Sequence, residues 1–324
     1  MRTGTKVWLI TAASLILIGC ILFAGVMTTL QWDFMELTTV QYETNTYEIG
    51  EVFDDIFINT DTADIAFVLS DDGTCRVECH EGENAKHSVT VKDGTLTIDL
   101  VNEKSVYGFI GYIGLNFGSP KITVHLPKTE YANLFIKGDT SDVEIPDDFI
   151  FQDMDISLCT GDVDLCASAS GMVKIKTSTG GICAKNISVG SLDLTVSTGK
   201  VTVSDVSCKG EITVSVSTGK TYLTNAVCKS VISKGNTGDI YLKNVIATEN
   251  FSIERSTGDV SFDGSDATEI FVKTDTGDIT GSLLTDKVFI TKTDTGKINV
   301  PKTADGGRCE MITDTGNIKI TIKQ

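Results

Sequence analysis

The residues able to do chemistry are few. Three histidines (His80, His87, His125) and nine cysteines occur in 324 residues. Cys75, Cys79, His80 and His87 lie close enough in sequence to form a metal set, since thiolate and imidazole bind Zn²⁺. Small buried thiols explain the cysteines as well, because positions 75 and 79 share one face of a strand. Carboxylates offer a second constellation. Asp275, Asp294 and Asp314 each stand two residues before a recurrent glycine, and Asp278 follows Asp275 by three. Carboxylates stacked at strand spacing repel unless a cation or water relieves them, which makes this set a Ca²⁺ candidate. A solvated acidic edge near Lys273 and Lys292 is the competing reading. Among aromatics, Tyr222 and Tyr241 share one outward column. Tyr107, Phe109 and Tyr112 fall in a glycine-interrupted stretch, 104–118, that reads as a contact loop or as a loop folded over the domain end. No phosphate-binding Gly-Lys loop, nucleophile elbow, paired-His zinc helix or EF-hand occurs. No catalytic residue and no cofactor is expected.

These side chains are placed by a repeat. Thr-Gly recurs at Gly161, Gly180, Gly199, Gly219, Gly238, Gly258, Gly277, Gly296 and Gly316, at intervals of 19 or 20 residues, with Thr140-Ser141 a degenerate earlier copy. Apolar residues recur seven and five before each glycine and two and four after it, as in Ile270, Val272 and Ile279 around Gly277. That period of two marks strands, and its β-branched content suits them. One copy cannot bury its own apolar side, so copies must stack. The sequence predicts an all-β parallel solenoid (β-helix) of about ten coils, roughly 48 Å long at one strand spacing per coil. A twisted antiparallel sandwich is the alternative, and it would need Asn-Gly or Asp-Gly hairpin turns in place of the Thr-Gly corners. Glycine supplies the positive φ such a corner needs, and the preceding Thr hydroxyl is expected to bond backbone there.

Residues 7–30 form an uncharged apolar run, about 36 Å long as a helix and sufficient to cross a bilayer. Arg2 and Lys6 precede it and Asp33 and Glu36 follow, which orients the remainder outward. The expected organisation is a cytoplasmic terminus at 1–6, a signal anchor at 7–30, a linker at 31–50, an N-terminal β cap at 51–137 and solenoid repeats at 138–324. Within the cap, strands are predicted at 53–59, 64–69, 74–80, 88–92, 95–101 and 121–126, with Asn59–Ile65 as a divergent corner. The alternative at the N-terminus is a lipoprotein lipidated at Cys20, since Leu17-Ile18-Gly19-Cys20 is similar to a lipobox. Beyond residue 30 stand 25 basic and 44 acidic residues, a balance of −19. A field of that sign repels nucleic acid and anionic polymers. Cys208 and Cys228 occupy one column, so they read either as a disulfide between stacked coils or as paired buried thiols. Cys166 and Cys183 fall in outward columns.

The Ser-Thr-Gly-Asp-Val corners (256–260), the Asp-Thr-Ala-Asp-Ile opening and the single N-terminal helix resemble a bacterial family of unknown function labelled "putative adhesin". The likeness extends to Lia-type envelope-stress surface proteins of Gram-positive bacteria and covers about residues 50–324. It implies a β-repeat domain at the cell envelope and brings no catalytic motif. The resulting expectation is a single-pass, membrane-anchored extracellular module for binding, adhesion or envelope-stress sensing. Its partners would be the membrane, through the helix, and an envelope protein or cell-wall component. The alternatives are a passive spacer and, further off, a carbohydrate-active β-helix enzyme.

Overall fold

The computed structural model describes residues 3–32, 41–83, 85–101 and 119–323. It is an all-β solenoid of about ten turns preceded by one apolar helix, Thr3–Thr29. Pairing along the repeat is parallel throughout, and the apolar columns run in register. Val173 pairs with Leu192, Leu192 with Ile212, Ile212 with Val231, Val231 with Phe251 and Phe251 with Ile270. All are at most 2% exposed. Only a shift of one repeat per turn lets every β-branched column stack on itself, and that shift excludes the sandwich.

The Thr-Gly corner is dictated by backbone contact. The φ of Gly161, Gly180, Gly199, Gly219, Gly238, Gly258, Gly277 and Gly316 lies between +128° and +155°. A Cβ on Gly238 would stand 1.9 Å from the carbonyl oxygen of Gly219. The corners touch coil on coil, and only a residue without Cβ fits. The hydroxyl that bonds there is not the one expected. The Thr before each glycine is exposed. In three coils a buried Thr three residues before the glycine donates instead: Thr177 to Gly161 O, Thr274 to Gly258 O and Thr313 to Gly277 O.

Aspartate completes the corner. Asp142, Asp162, Asp239, Asp259 and Asp278, each at or just after a corner, accept the backbone N–H of the equivalent residue one layer on, at 2.5–3.1 Å. The recurrent acid is therefore a backbone acceptor. A second corner lies six residues after the glycine. Asn186, Asp205, Asn225, Asn244 and Gly264 hold φ of +51° to +59° there, a region Asn and Asp tolerate better than other side chains. Three of these side chains form a ladder, Asn225 donating to Asp205 and Asn244 to Asn225. A third short strand, such as Ser188–Val189 on Ser207–Cys208, completes the turn.

Layer order departs from sequence order at both ends. The expected succession of the Gly277, Gly296 and Gly316 coils is overturned, because Gly307–Thr315 pairs with Asp266–Thr276 on one side and with Lys287–Thr295 on the other. The last coil in sequence is thus the second-to-last layer. Gly306-Gly307 admits it, since a Cβ on Gly307 would stand 1.8 Å from Thr268 O. At the other end, Asp55–Thr60 and Asp64–Leu69 form a coil lying between Thr95–Val101/Lys121–Leu126 and Glu130–Thr140/Val143–Ile145. Parallel stacking therefore begins at Asp55, inside the segment read as a cap. Antiparallel strands do the capping: Lys86–Lys92 on Thr95–Val101, and Cys75–Gly82 on Lys121–Leu126. Tyr42–Ile49 pairs with Cys75–Gly82, so the stretch 31–50 is not all linker. Its alternation of half-buried and exposed residues, weakly apolar, hid the strand.

A guanidinium is buried inside the solenoid with no carboxylate partner among the described residues. Arg255 takes the inward position that Thr177, Thr274 and Thr313 hold in other coils and is 3% exposed. Its guanidinium donates to Val216 O, Thr221 Oγ1 and Ser233 Oγ. Gly235 leaves the room, because a Cβ there would overlap Nη1 at 1.7 Å. Burial lowers the guanidinium to about 10.

Candidate binding face and the buried cap cluster

On the strand that follows the first corner, the column three after glycine faces outward. Parallel register aligns Thr202, Tyr222, Tyr241 and Ser261 in adjacent layers. Strand spacing then sets the ring spacing. Tyr222 and Tyr241 stack with centroids 4.9 Å apart and planes 6° apart. Thr202 and Ser261 on either side are short and leave the outer ring faces uncrowded. Lys220 and Asp239 flank the rings with Nζ and Oδ2 3.0 Å apart, and the Tyr241 hydroxyl donates to Asp239 at 3.1 Å. Lys220 Nζ stands 5.8 Å from the Tyr241 ring centre, within cation–π range. The hydrogen bond from Lys220 holds the Asp239 carboxyl below its usual range. The arrangement offers two aromatic faces, one cationic donor and one anionic acceptor. Tyr107, Phe109 and Tyr112 lie outside the described residues.

The aspartate set does not converge. Asp275, Asp314 and Asp294 stack in that layer order, their threonine neighbours pairing Thr276 with Thr315 and Thr295 with Thr315. Asp275 and Asp294 are exposed and pair with Lys273 at 3.8 Å and Lys292 at 3.1 Å. Asp278 is taken by Asn317, whose backbone and side-chain amides it accepts.

The Cys/His set is rearranged. Alternation puts Cys75, Val77, Cys79 and Glu81 inward and His80 outward, where it stacks on Tyr42 at 5.3 Å. Cys79, Glu81 and His87 come together, with ligand atoms within 4.8 Å of one another. Glu81 was not singled out, although strand alternation from Cys79 places it inside. A closed hydrogen-bond circuit occupies the group. Glu81 accepts from His87 N and Nδ1, each at 2.7 Å, and from Asn45 Nδ2 at 2.8 Å. His87 Nε2 and the Thr60 hydroxyl share a hydrogen bond at 2.9 Å. The order Thr–His–Glu matches a nucleophile relay, but Thr60 is 3% exposed. The circuit ties the antiparallel cap to the corner of the first coil.

The cysteines are free, and Cys208 and Cys228 are unbridged thiols in adjacent layers. Burial pushes Cys79, Cys228 and Cys309 up to about 12. Cys166 and Cys183 are half-exposed in their outward columns, and burial raises both. A raised value keeps a thiol protonated at pH 8 and unreactive. A short iodoacetamide pulse at pH 8, read by peptide mass spectrometry, is expected to label exposed Cys159 and to spare Cys79, Cys228 and Cys309. Labelling of Cys228 at the rate of Cys159 would show that its coil opens.

The chain is similar to several solved structures. A "putative adhesin" from Parabacteroides distasonis ATCC 8503 is 14% identical, with 87% of this chain and 98% of that chain covered and a TM-score of 0.44. A "putative adhesin" from Bacteroides fragilis NCTC 9343 is 16% identical, covering 87% and 97%, with a TM-score of 0.36. A "putative lipid binding protein" from Parabacteroides distasonis ATCC 8503 is 17% identical, covering 74% and 96%, with a TM-score of 0.38. No curated protein matches. The family description "Toastrack DUF4097" matches residues 53–215 and 209–324, and with its repeated corners and solenoid the chain belongs to that family.

Proposed function

We propose that the protein is a membrane-held binding module facing outward from the bacterial cell envelope, with the Tyr222–Tyr241 stack as its contact platform for a neutral envelope glycan. The observation that carries this reading is the ring pair: two half-exposed tyrosines held parallel on a rigid sheet, beside a Lys–Asp couple. Flat aromatic faces accept the apolar faces of sugar rings, and the couple supplies a donor and an acceptor for hydroxyls. The acidic surface disfavours anionic polymers and nucleic acid. One helix, Trp8–Thr29, is long and apolar enough to cross a membrane. Arg2 and Lys6 on its N-terminal side favour the outward orientation of the solenoid. An envelope-stress sensor would use the same platform, with occupancy as its signal.

The test is affinity electrophoresis of the full chain in detergent through gels holding a neutral glucan, galactan or mannan. At least one polysaccharide is expected to retard the parent, and Tyr222→Ala and Tyr241→Ala are each expected to weaken retention about tenfold. Retardation by none, or equal retardation of the double Ala variant, would overturn the glycan platform and leave a rigid spacer as the reading.

A further inference from the structure

The two ends of the solenoid are finished differently. One end carries the antiparallel cap. At the other, the outermost layer is Lys287–Thr295 with Ile298–Asn299. Its inner edge pairs with Gly307–Thr315 and Ile318–Ile322, and among the described residues no strand pairs with its outer edge. Core columns are therefore open. Ile298 is 45% exposed where its counterpart Ile279 is sealed, and Phe289 is half-buried where Ile270 is 2% exposed. Leu284, Val288 and Ile290 add exposed apolar surface beside them. A free strand edge next to an open apolar cross-section is a template for pairing.

We propose that a second copy of this chain covers that end, the two solenoids meeting outer end to outer end about a two-fold axis, with Lys287–Thr295 antiparallel to its mate. The surface to be matched is one turn of the solenoid, and each copy carries that outline. The cap blocks the opposite end, so head-to-tail growth into a fibre is closed off and a self-complementary pair remains. Charge selects the register. Antiparallel pairing centred on Thr293 joins residues 291–295 of the two copies, up to the Gly296 corner, and sets Lys292 of each copy against Asp294 of the other. Within one chain these two side chains pair at 3.1 Å while largely exposed, so both are free to exchange partners. Ile290, 46% exposed, borders that pairing on the outward side of the strand.

The experiment is sedimentation of the full chain in detergent over a concentration series. It compares the parent with Ile290→Lys, Lys292→Asp, Asp294→Lys and the double reversal Lys292→Asp/Asp294→Lys. A reversible dimer is expected. Ile290→Lys and each single reversal should weaken it about tenfold or more, and the double reversal should restore it to within about threefold of the parent. These positions are exposed, so the variants keep the fold, and the restored double confirms it. A monomer at every concentration, an open series of larger species, or a dimer indifferent to all four variants would overturn the proposal. A double reversal as weak as the singles would overturn its register.

Discussion

Replacing Gly238 or Gly258 with valine is expected to cost about 4 kcal/mol or more and to lower the melting midpoint by roughly 10 °C. Two effects add. At φ of +128° and +148° a β-branched residue is strained. The new Cβ would also stand 1.9 Å and 2.1 Å from the carbonyl oxygens of Gly219 and Gly238, so the stacked backbones must separate. Separation would break the ladder bonds Gly219 N to Thr237 O and Gly238 N to Thr257 O. Because layers contact mainly their neighbours, amide hydrogen exchange should quicken first between about residues 219 and 277. Lys243→Ala, on an exposed position of the same coil, should stay within about 0.5 kcal/mol of the parent. Glycine variants that melt with the parent would mean that the corners are not in backbone contact.

The second large effect is expected at the far end. Lys287 and Asp266 form an ion pair at 2.6 Å with side chains 3% and 9% exposed. Lys287 opens the outermost layer and Asp266 opens a strand two layers in, so the pair reaches past Gly307 and latches the inserted coil. Asp266 also accepts from the backbone of Ala267, Leu284 and Thr285. Lys287→Met leaves the carboxylate buried without its cation and should cost about 3 kcal/mol. Asp266→Ala strands both the ammonium and the three backbone donors, and should cost about as much or more. The double variant should recover part of the Asp266→Ala loss, since no ammonium is stranded, and stay below the parent because the backbone donors remain unpaired. Thermal melts of the four proteins measure this. A Lys287→Met protein as stable as the parent would show that the latch does not hold the end.

Most of the fold was legible because its cause is local and repeated. A glycine every 19 or 20 residues, with apolar columns at even offsets, has one way to bury its apolar side, and the parallel stack follows. The strands at 64–69, 95–101 and 121–126 were legible for the same reason of alternation. The second corner was also open to reading, as Asn186, Asp205, Asn225, Asn244 and Gly264 recur at one offset. Of the candidate site, the Tyr222–Tyr241 column followed from the offset alone, whereas Glu81 was overlooked because a lone glutamate in a strand reads as solvent-facing.

Sequence by itself thus determined what each turn is: its strands, its glycine corners and its outward and inward columns, all set by short-range sterics and a period of two. Tertiary structure alone decided which turn lies on which. Repeats of one outline are interchangeable as far as their columns tell, so layer order rests on singular residues: Gly306-Gly307, which let the last coil slide inward, and the Asp266–Lys287 pair, which locks it there. The same holds for Arg255, whose burial becomes intelligible only when Gly235 and Ser233, one layer away, are seen to make its cavity and accept its protons. Such pairings join residues about 20 positions apart through space, and no local rule of spacing or propensity encodes them.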